Sequence, residues 1–422
     1  MAEENEKTFR LKHPELWIIA FVILVVTASA SFAFTCANSN REEKGLYEIV
    51  PISDSEVKFY GADFSFYYYC DGEMNVTIEK NNVRKVYSDK LKEIYAYLDE
   101  DNTYTSYISV ASINEHPNEI VSIGPTLYSM LEDAYKRSSL DNNYSIFATP
   151  LYSFWYQQFA MIRSDREARD PVNNEESVTY LKEVADFINN KEHIDLSFLG
   201  EGKVKLSVSE EYQKYRDNKG IDTPYLSFNI LKNSYILQTI SDFLSEKEIN
   251  KGFIITSDGS VVQLKNSPNQ TYSIYSVKDL TLERAGDIDF TNPLTSGDVI
   301  RHFNLNNTSP VNYYYMNKDG VTYFRSLYLD IKTGLENNFL LSSGIYSKDL
   351  NILDNATINN ALVPCNTIEE INTYLTSHDK GNTMIVINLV DNPKNIYVSN
   401  LIKENIKLND KLDYNLNIIK ED

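Results

Sequence analysis

The segment that decides the fold is TSPVNYYYMNKDGVTYFRSLYLDIKTG, residues 308–334. At its centre, Asp319-Gly320 separates two runs rich in aromatic and β-branched residues, 313–316 and 321–329. Glycine tolerates the positive φ of a two-residue primed turn, so Asp-Gly between two such runs is a strong hairpin signal. The sequence therefore predicts a β-hairpin that organises the C-terminal third of the chain.

Composition predicts a globular protein. The chain has 422 residues, of which 42% are hydrophobic, so it can bury a large core; its length allows two or three domains without demanding them. Its net charge of −20 and the lack of any cluster of basic residues argue against nucleic-acid binding. The 31 tyrosines argue against disorder.

The three cysteines, Cys36, Cys70 and Cys365, match no metal-ligand spacing and are too few for a disulfide scaffold. If both lie outside the cell, Cys70 and Cys365 can pair. We favour the alternative that they are two unrelated buried thiols.

Residues 16–40 contain no charged side chain, and WIIAFVILVVTASASFAF within them is long enough to cross a hydrocarbon core of about 30 Å. Basic residues precede this segment, which weakly places the N-terminus in the cytoplasm. We predict a cytoplasmic tail over 1–15, a transmembrane anchor over 16–36, a stalk over 37–55 and an extracytoplasmic domain over 56–422.

Two alternatives to the anchor stay open. Ala28-Ser29-Ala30 has the small-residue pattern of a signal-peptide cleavage site, so the segment is also compatible with a cleaved signal peptide. Lipid attachment at Cys36 is less favoured, because Phe34 and Thr35 are poor neighbours for lipoprotein processing.

Downstream of the stalk, strand and helix patterns alternate, which predicts one α+β unit with mixed sheets and flanking helices. Hairpins are predicted over 57–79, turned by Asp71-Gly72, and over 251–264. The charge-rich segment 163–176 is predicted to be a surface loop. Helices are predicted over 83–98, 124–137, 178–189, 226–244, 296–303 and 367–377, and further strands over 204–208 and 384–390.

The ending L-D-I-K-T-G resembles the H-I-x-D-P-x-T-G segment of the ApbE-type flavin transferases, extracytoplasmic bacterial proteins that move FMN from FAD to a threonine of a partner. Asp330, Thr333 and Gly334 stand where that family has them, whereas Leu327 takes the place of the family's active-site histidine and Ile331 that of its proline. The T-S-P…D-G ahead of it has the family's T-S-G…D-G spacing, with T-S-G-D at 295–298 as a rival match. The resemblance implies an ApbE-like fold and a site shaped by Asp330 and Thr333.

Further segments resemble the family in the same order along the chain. Asn114 and Trp155, with Pro150-Leu151, fit the family's flavin-contacting pattern, while Asn142 and Ser145 replace its glycine and aspartate. The resemblance implies that Asn114 and Trp155 contact the cofactor, although a core aromatic is an equal interpretation of Trp155.

The segment 226–244 resembles the family's L-G-G-I-A-K-G-Y-A helix. It keeps Lys232, which the resemblance implies would contact a phosphate of FAD, although a solvated helix lysine is an equal interpretation. Phe228, Asn229 and Asn233 replace glycines that would let a dinucleotide approach the backbone closely. The turn Asp258-Gly259 stands where the family has its G-G-D turn, which adds both residues to the expected cofactor contacts.

The resemblance further implies a Mg²⁺ site made by Asp354 and the backbone carbonyl of Leu231. Four residues after Asp354, however, stands Ile358, which has no oxygen for a hard cation. Alignment on 361–363 instead leaves Asn360 and Ala356 at the ligand positions. As a lone carboxylate, Asp354 is also compatible with a helix N-cap.

No hydrolase or oxidoreductase motif competes, and the five histidines are scattered, so a histidine-based triad or zinc site is not expected. Two hypotheses remain. One is a membrane-anchored Mg²⁺-dependent FMN transferase that modifies a threonine of an exported or membrane redox protein. The other, which we favour, is a protein of the same fold with a degraded catalytic site, weakly active or inactive, that binds flavin or a partner.

Overall fold

The computed structural model describes residues 43–257, 259–267, 270–290, 294–305, 313–378 and 383–420. Strands in these ranges are β1 (Gly45–Ile49), β2 (Phe64–Cys70), β3 (Ile120–Ser122), β4 (Ile194–Phe198), β5 (Lys203–Val208), β6 (Gly252–Thr256), β7 (Val261–Gln263), β8 (Thr271–Lys278), β9 (Thr281–Asp289), β10 (Ser296–Arg301), β11 (Tyr314–Lys318), β12 (Val321–Arg325), β13 (Leu340–Ser347), β14 (Thr383–Leu389), β15 (Asn395–Ser399), β16 (Ile406–Leu408) and β17 (Asn415–Lys420).

The largest sheet has nine strands in the order β1-β2-β6-β7-β10-β13-β14-β15-β17. Its neighbouring strands are antiparallel except for β15 and β17, which are parallel. Three smaller antiparallel sheets have the orders β3-β5-β4, β16-β9-β8 and β11-β12. Strands β2 and β6 are neighbours in the large sheet although residues 71–251 separate them in sequence, and the small sheet β3-β5-β4 belongs to that intervening segment.

The helices flank these sheets. They are α1 (Val76–Tyr97), α2 (Val110–Asn114), α3 (Pro125–Arg137), α4 (Thr149–Ala160), α5 (Arg163–Arg169), α6 (Glu175–Ile188), α7 (Glu210–Lys219), α8 (Lys232–Glu246), α9 (Ile352–Ala361) and α10 (Ile368–His378). Short 3₁₀ segments occupy Asn229–Leu231 and Asn400–Asn405. Helix α8 packs against α1 and α9, and α9 packs on β10 and β13, so the start of α8 is fixed between helix and sheet.

The mixed α+β architecture predicted from the sequence is confirmed. The organising hairpin forms as β11 and β12, and its turn residues Asp319 and Gly320 have φ values of +52° and +80°, the left-handed pair that a primed turn requires. The hairpin over 251–264 is also confirmed as β6 and β7. Thr308, the preferred anchor of the T-S-G match, lies outside the described residues.

Four predictions of local structure are wrong. The segment 296–303 is not a helix but contains β10, whose first five residues are buried between β7 and β13, since tertiary burial overrides local pattern. Residues 74–79 do not form a strand: Asn75 accepts a hydrogen bond from the Ile78 amide and caps α1. Folding also begins before residue 56, because β1 lies in the predicted stalk. The predicted loop 163–176 contains α5.

Two predictions concern the cell compartment. None of the helices in the described ranges is both long and apolar enough to cross a bilayer, and the proposed anchor over 16–36 lies outside those ranges. Cys70 is buried and Cys365 is half-buried, and no disulfide joins them, so the pairing considered for them does not form.

Candidate functional site

One cavity among the described residues is a cleft of about 860 Å³, called here the main cleft. This volume is typical of sites for drug-sized or nucleotide ligands. Aromatic side chains form much of its wall, and polar groups come from α4, from the 3₁₀ segment before α8 and from the end of β10. The aromatic lining residues are Tyr95, Tyr152, Tyr156, Phe303, Tyr313 and Tyr328.

Charge in the main cleft is mixed. Four carboxylates line it, Asp63, Glu100, Asp101 and Asp222, and the cationic side chains among its described lining residues are Lys232 and Arg301. Burial, reinforced by Glu100 and Asp99, raises the pKa of Asp101 above its ordinary value. Lys232 and Arg301 are therefore the groups in this cleft that would attract an anionic ligand.

Lys232 lies in the main cleft, as its predicted role requires, but its ammonium is already paired. Its Nζ lies 2.6 Å from Oε2 of Glu100 and 5.4 Å from the centre of the Tyr95 ring. Burial disfavours the charged ammonium, but Glu100 outweighs it and holds the pKa of Lys232 above its ordinary value. The lysine is therefore a permanently charged group, partly neutralised by its neighbour.

In the 3₁₀ turn ahead of α8, one of the residues that replace family glycines still has the positive φ that glycine adopts easily. Asn229 has φ +46°, a conformation that asparagine tolerates better than most side chains. Its side-chain amide donates to the carbonyls of Ser145 and Ser227, at 2.9 and 3.2 Å. Phe228 is fully buried and packs edge-on against Tyr235. The Phe228 side chain therefore packs in the core, and the Asn229 side chain bonds the backbone. Neither side chain fills the cleft.

Asn114 lies outside the main cleft. Its Oδ1 accepts from the Leu226 amide at 2.9 Å, and its Nδ2 donates to the Leu226 carbonyl at 2.9 Å. The two bonds fix the chain that leads into α8. Asn114 is thus placed to position this segment, not to contact a cofactor directly.

Leu327 lies on the wall of the main cleft, together with Tyr328. The resemblance assigned to this position a histidine that would transfer a proton; a leucine side chain has no group able to do so. The wall that presents Leu327 belongs to residues 326–336, called here the partition segment.

The two end residues of the partition segment, Ser326 and Glu336, meet His302 in a buried cluster. His302 Nδ1 is 2.9 Å from Glu336 Oε1 and 3.1 Å from Ser326 Oγ, and Ser326 Oγ donates to the same carboxylate oxygen at 3.0 Å. The Tyr328 amide donates to Ser326 Oγ at 3.1 Å. Burial raises the pKa of Glu336, although His302 opposes the shift.

This cluster contains the residue types of a Ser-His-acid triad but not its geometry. A triad needs the acid on one ring nitrogen and the serine on the other. Here both contact Nδ1, while His302 Nε2 has no hydrogen-bond partner among the described residues, and Ser326 is fully buried. We conclude that the cluster supports the wall of the main cleft from behind.

Within the partition segment, Asp330 and Thr333 line a second cavity of about 440 Å³ instead of the main cleft. Thr333 Oγ1 donates to Asp330 Oδ2 at 2.9 Å, and the Lys332 amide donates to Oδ1 at 2.9 Å. The pair therefore closes the turn that ends at Gly334, whose φ is +70°. The structure separates these predicted catalytic residues from Leu327 and the main cleft.

Trp155 is fully buried beside the same turn. Its Nε1 donates to the Gly334 carbonyl at 3.1 Å, and it borders the second cavity. The adjacent Tyr156 lines the main cleft and is 50% exposed. The core interpretation of Trp155 therefore fits the structure, and the aromatic side chains of α4 that line the main cleft are Tyr152 and Tyr156.

Gly259 lies next to Arg301, a residue that lines the main cleft. A Cβ at Gly259 would lie 2.8 Å from Nη1 of Arg301, and its φ is +98°, so this position needs glycine. Ser257 and Arg301 line the cleft. Asp258, the remaining predicted cofactor contact, lies outside the described residues.

Asp354 is held by an arginine. Arg137 Nη1 lies 3.0 Å from Asp354 Oδ1 and donates to Thr357 Oγ1 at 3.1 Å, and Arg137 Nε is 2.8 Å from Asp133 Oδ2. The alternative of an N-cap is wrong for Asp354, because Asn351 caps α9 by accepting from the Asp354 amide at 2.9 Å. The carboxylate instead lies in the first turn of the helix.

These residues do not fit a Mg²⁺ ion. The Asp354 carboxylate already binds a guanidinium, and Ile358 supplies no oxygen. Leu231 precedes α8 as its N-cap, the position whose carbonyl accepts the first helical hydrogen bond. Across the described ranges, no group of three or more His, Cys, Asp and Glu side chains is arranged to hold a metal.

Together, the fold and the site define an α+β protein with a nucleotide-sized aromatic cleft beside a partition built on the L-D-I-K-T-G turn. A scan against models of known protein families finds no match, and a search of curated proteins finds none either. Solved structures do match.

The ApbE protein of Thermotoga maritima has a TM-score of 0.55 and 15% identity over 86% of this chain and 99% of that chain. Flavin transferase ApbE of Vibrio cholerae has a TM-score of 0.56 and 12% identity, over 86% and 99% of the two chains. The apo flavinyl transferase ApbE of Pseudomonas stutzeri has a TM-score of 0.51 and 12% identity, over 86% and 96%. The chain therefore has the fold of the ApbE flavin transferases, at a sequence distance that speaks for the fold alone.

Sequence reasoning missed Arg137, His302, Ser326 and Glu336. Arg137 in the last turn of α3 is a typical C-terminal basic residue, and nothing local indicated a partner 217 positions away. The D-G turn and the flanking strands, in contrast, were visible because hairpin signals are local.

Proposed function

We propose that the chain binds a flavin nucleotide such as FAD in the main cleft without transferring FMN from it. The observation that carries the proposal is the position of Leu327: the wall of an open, nucleotide-sized cleft carries an inert side chain where the flavin transferases have a histidine.

Binding is supported by the size and chemistry of the main cleft. Several tyrosines provide faces on which a planar isoalloxazine or adenine ring can stack, and such stacking contributes about 1–3 kcal/mol per ring. Lys232 and Arg301 provide positive charge for a diphosphate. FAD is the ligand class that the shared fold suggests.

Loss of transfer is supported by two chemical arguments. Phosphoryl-type transfer depends on positioning and on stabilising charge that develops on phosphate oxygens, and removal of one such contributor commonly costs about 10²–10³ in rate. Leu327 can neither accept nor donate a proton, and the Asp354 carboxylate binds Arg137 instead of a metal. Two contributors are then missing together.

We further propose that residues 16–36 anchor the chain in the cytoplasmic membrane with the folded part outside. The uncharged segment and the basic residues that precede it motivate this topology. An exported or membrane redox protein is the partner class that follows if transfer activity survives.

A flavinylation assay tests the proposed function. The full chain is incubated with FAD, MgCl₂ and a threonine-containing acceptor peptide, and covalent flavin on the peptide is read by in-gel fluorescence, with an active flavin transferase as positive control. We expect no labelling above a no-protein blank. Robust Mg²⁺-dependent labelling that disappears in Asp354→Ala would restore the enzyme hypothesis.

A further inference from the structure

The contact between Arg137 and the start of α9 joins two helix ends of opposite polarity. Arg137 is the last residue of α3, where a cation is favoured by the helix dipole, and Asp354 lies in the first turn of α9, where an anion is favoured. Both side chains are mostly buried, with exposed fractions of 19% and 27%. The helix ends thus stabilise both charges of the pair.

Three oxygen-bearing side chains surround the guanidinium. Asp133 and Asp354 bind it from opposite helices, and Thr357 adds a hydroxyl. The Tyr235 hydroxyl from α8 donates to Asp133 Oδ2 at 2.6 Å, which fixes that carboxylate. Two carboxylates and a hydroxyl are oxygen donors of the kind that hard divalent cations prefer.

The guanidinium keeps its charge at every physiological pH. Burial disfavours it, but hydrogen bonding to Asp133 and the charge of that carboxylate outweigh burial and raise the pKa of Arg137. A divalent ion entering this position would have to expel a buried cation and break its charge-assisted hydrogen bonds, which carry much of the strength of such pairs.

We propose that Arg137 is the resident cation of the site formed by Asp133, Asp354 and Thr357, and that removing its guanidinium opens this site to Mg²⁺ or Mn²⁺. Two carboxylates and a hydroxyl contact one guanidinium there, so the protein fills the position with its own side chain. This inference concerns metal binding alone and holds whether or not the main cleft binds flavin.

Mn²⁺ binding to the full chain, without flavin, tests the inference. Free Mn²⁺ is counted by its EPR signal during a titration of wild type, Arg137→Ala, Arg137→Ala/Asp354→Asn and Asp354→Asn. We expect no Asp354-dependent binding in wild type. Arg137→Ala should bind Mn²⁺ at least about tenfold more tightly, the change that one exchanged charge pair readily produces, and the double variant should lose that gain.

Arg163→Ala is the matched control, because it removes the same charge from a side chain that is 73% exposed on another helix. If Arg137→Ala does not fold, Arg137→Gln replaces it, and Arg137→Lys, which keeps a cation, should gain no Mn²⁺ binding. Two results overturn the inference: Mn²⁺ binding by wild type that Asp354→Asn abolishes, or a folded neutral variant of Arg137 that binds Mn²⁺ no better than wild type.

Discussion

At the scale of single residues, side chains that are adjacent in sequence lie in different environments. Trp155 and Tyr156 follow one another on α4, yet the first lies in the core against Gly334 and the second lines the main cleft. The partition segment divides in the same way, with Leu327 facing the main cleft and Asp330 the second cavity. A motif that is continuous in sequence therefore lines two different cavities.

This division predicts opposite effects of two substitutions. Trp155→Phe removes a buried hydrogen bond and part of a core side chain, so it should lower the free energy of unfolding by about 1–3 kcal/mol and leave FAD affinity unchanged. Tyr156→Ala should weaken FAD binding about tenfold, through lost stacking, with little change in stability. Fluorescence titration and thermal denaturation of both variants measure this. A Trp155→Phe protein of wild-type stability that has lost FAD affinity would contradict it.

At the scale of elements, an ion pair fixes the organising hairpin to the rest of the fold. The guanidinium of Arg325 on β12 binds both oxygens of Asp170, at 2.9 and 3.1 Å, and the hydroxyl of Tyr314 on β11 donates to Oδ2 at 2.6 Å. Asp170 follows α5 and is fully buried. The hairpin strands, and the partition segment that follows them, are thereby held against α5.

Asp170 predicts a pH-dependent stability. Burial disfavours its charge, but Arg325 and Tyr314 outweigh burial and hold its pKa below the ordinary value of 3.8. A depressed pKa contributes stability that is present above pH 3.8 and lost as pH falls through the folded value. Asp170→Asn should therefore cost about 3–5 kcal/mol at pH 7, and the difference from wild type should shrink in strong acid.

Urea denaturation of wild type and Asp170→Asn between pH 3 and pH 7 measures this difference. Asp165→Asn, an exposed aspartate on the same helix, is the control and should change stability by less than about 0.5 kcal/mol. A constant gap between wild type and Asp170→Asn across the whole range would refute the role given to this pair.

The elements also show how far sequence reasoning reaches. The hairpin β11–β12 and helix α3 were predicted because Asp319-Gly320 and Gly124-Pro125 are local signals. Strand β10 was mistaken for a helix, because its structure is set by burial between two strands distant in sequence. Site residues were misplaced for the same reason: only tertiary contacts decide that Asn114 bonds Leu226, or that Arg137 reaches Asp354.

At the scale of the whole molecule, the first described strand lies close in sequence to the proposed anchor. Strand β1 starts at Gly45 and adds an edge to the nine-stranded sheet, so only a few residues separate it from residue 36. Each residue of an extended chain spans at most about 3.3–3.6 Å, so the proposed anchor would hold the domain near the bilayer.

The proposed topology predicts that protease added to intact spheroplasts digests the domain. The proposed membrane segment should protect at most a short N-terminal fragment, because the uncharged window precedes every described strand and helix. Immunoblotting with an antibody to the C-terminal region reads the result, and a cytoplasmic protein serves as the control for spheroplast integrity. Full protection of the C-terminal region would place the domain inside the cell instead.

We propose that this molecule binds a flavin nucleotide and does so without a metal. Isothermal titration of FAD into the purified full chain, once in EDTA and once in MgCl₂ at matched ionic strength, tests it most directly. We expect saturable FAD binding at one site per chain, with the same affinity in both buffers. Binding that occurs only with Mg²⁺ and is abolished by Asp354→Ala, or no binding in either buffer, would contradict it.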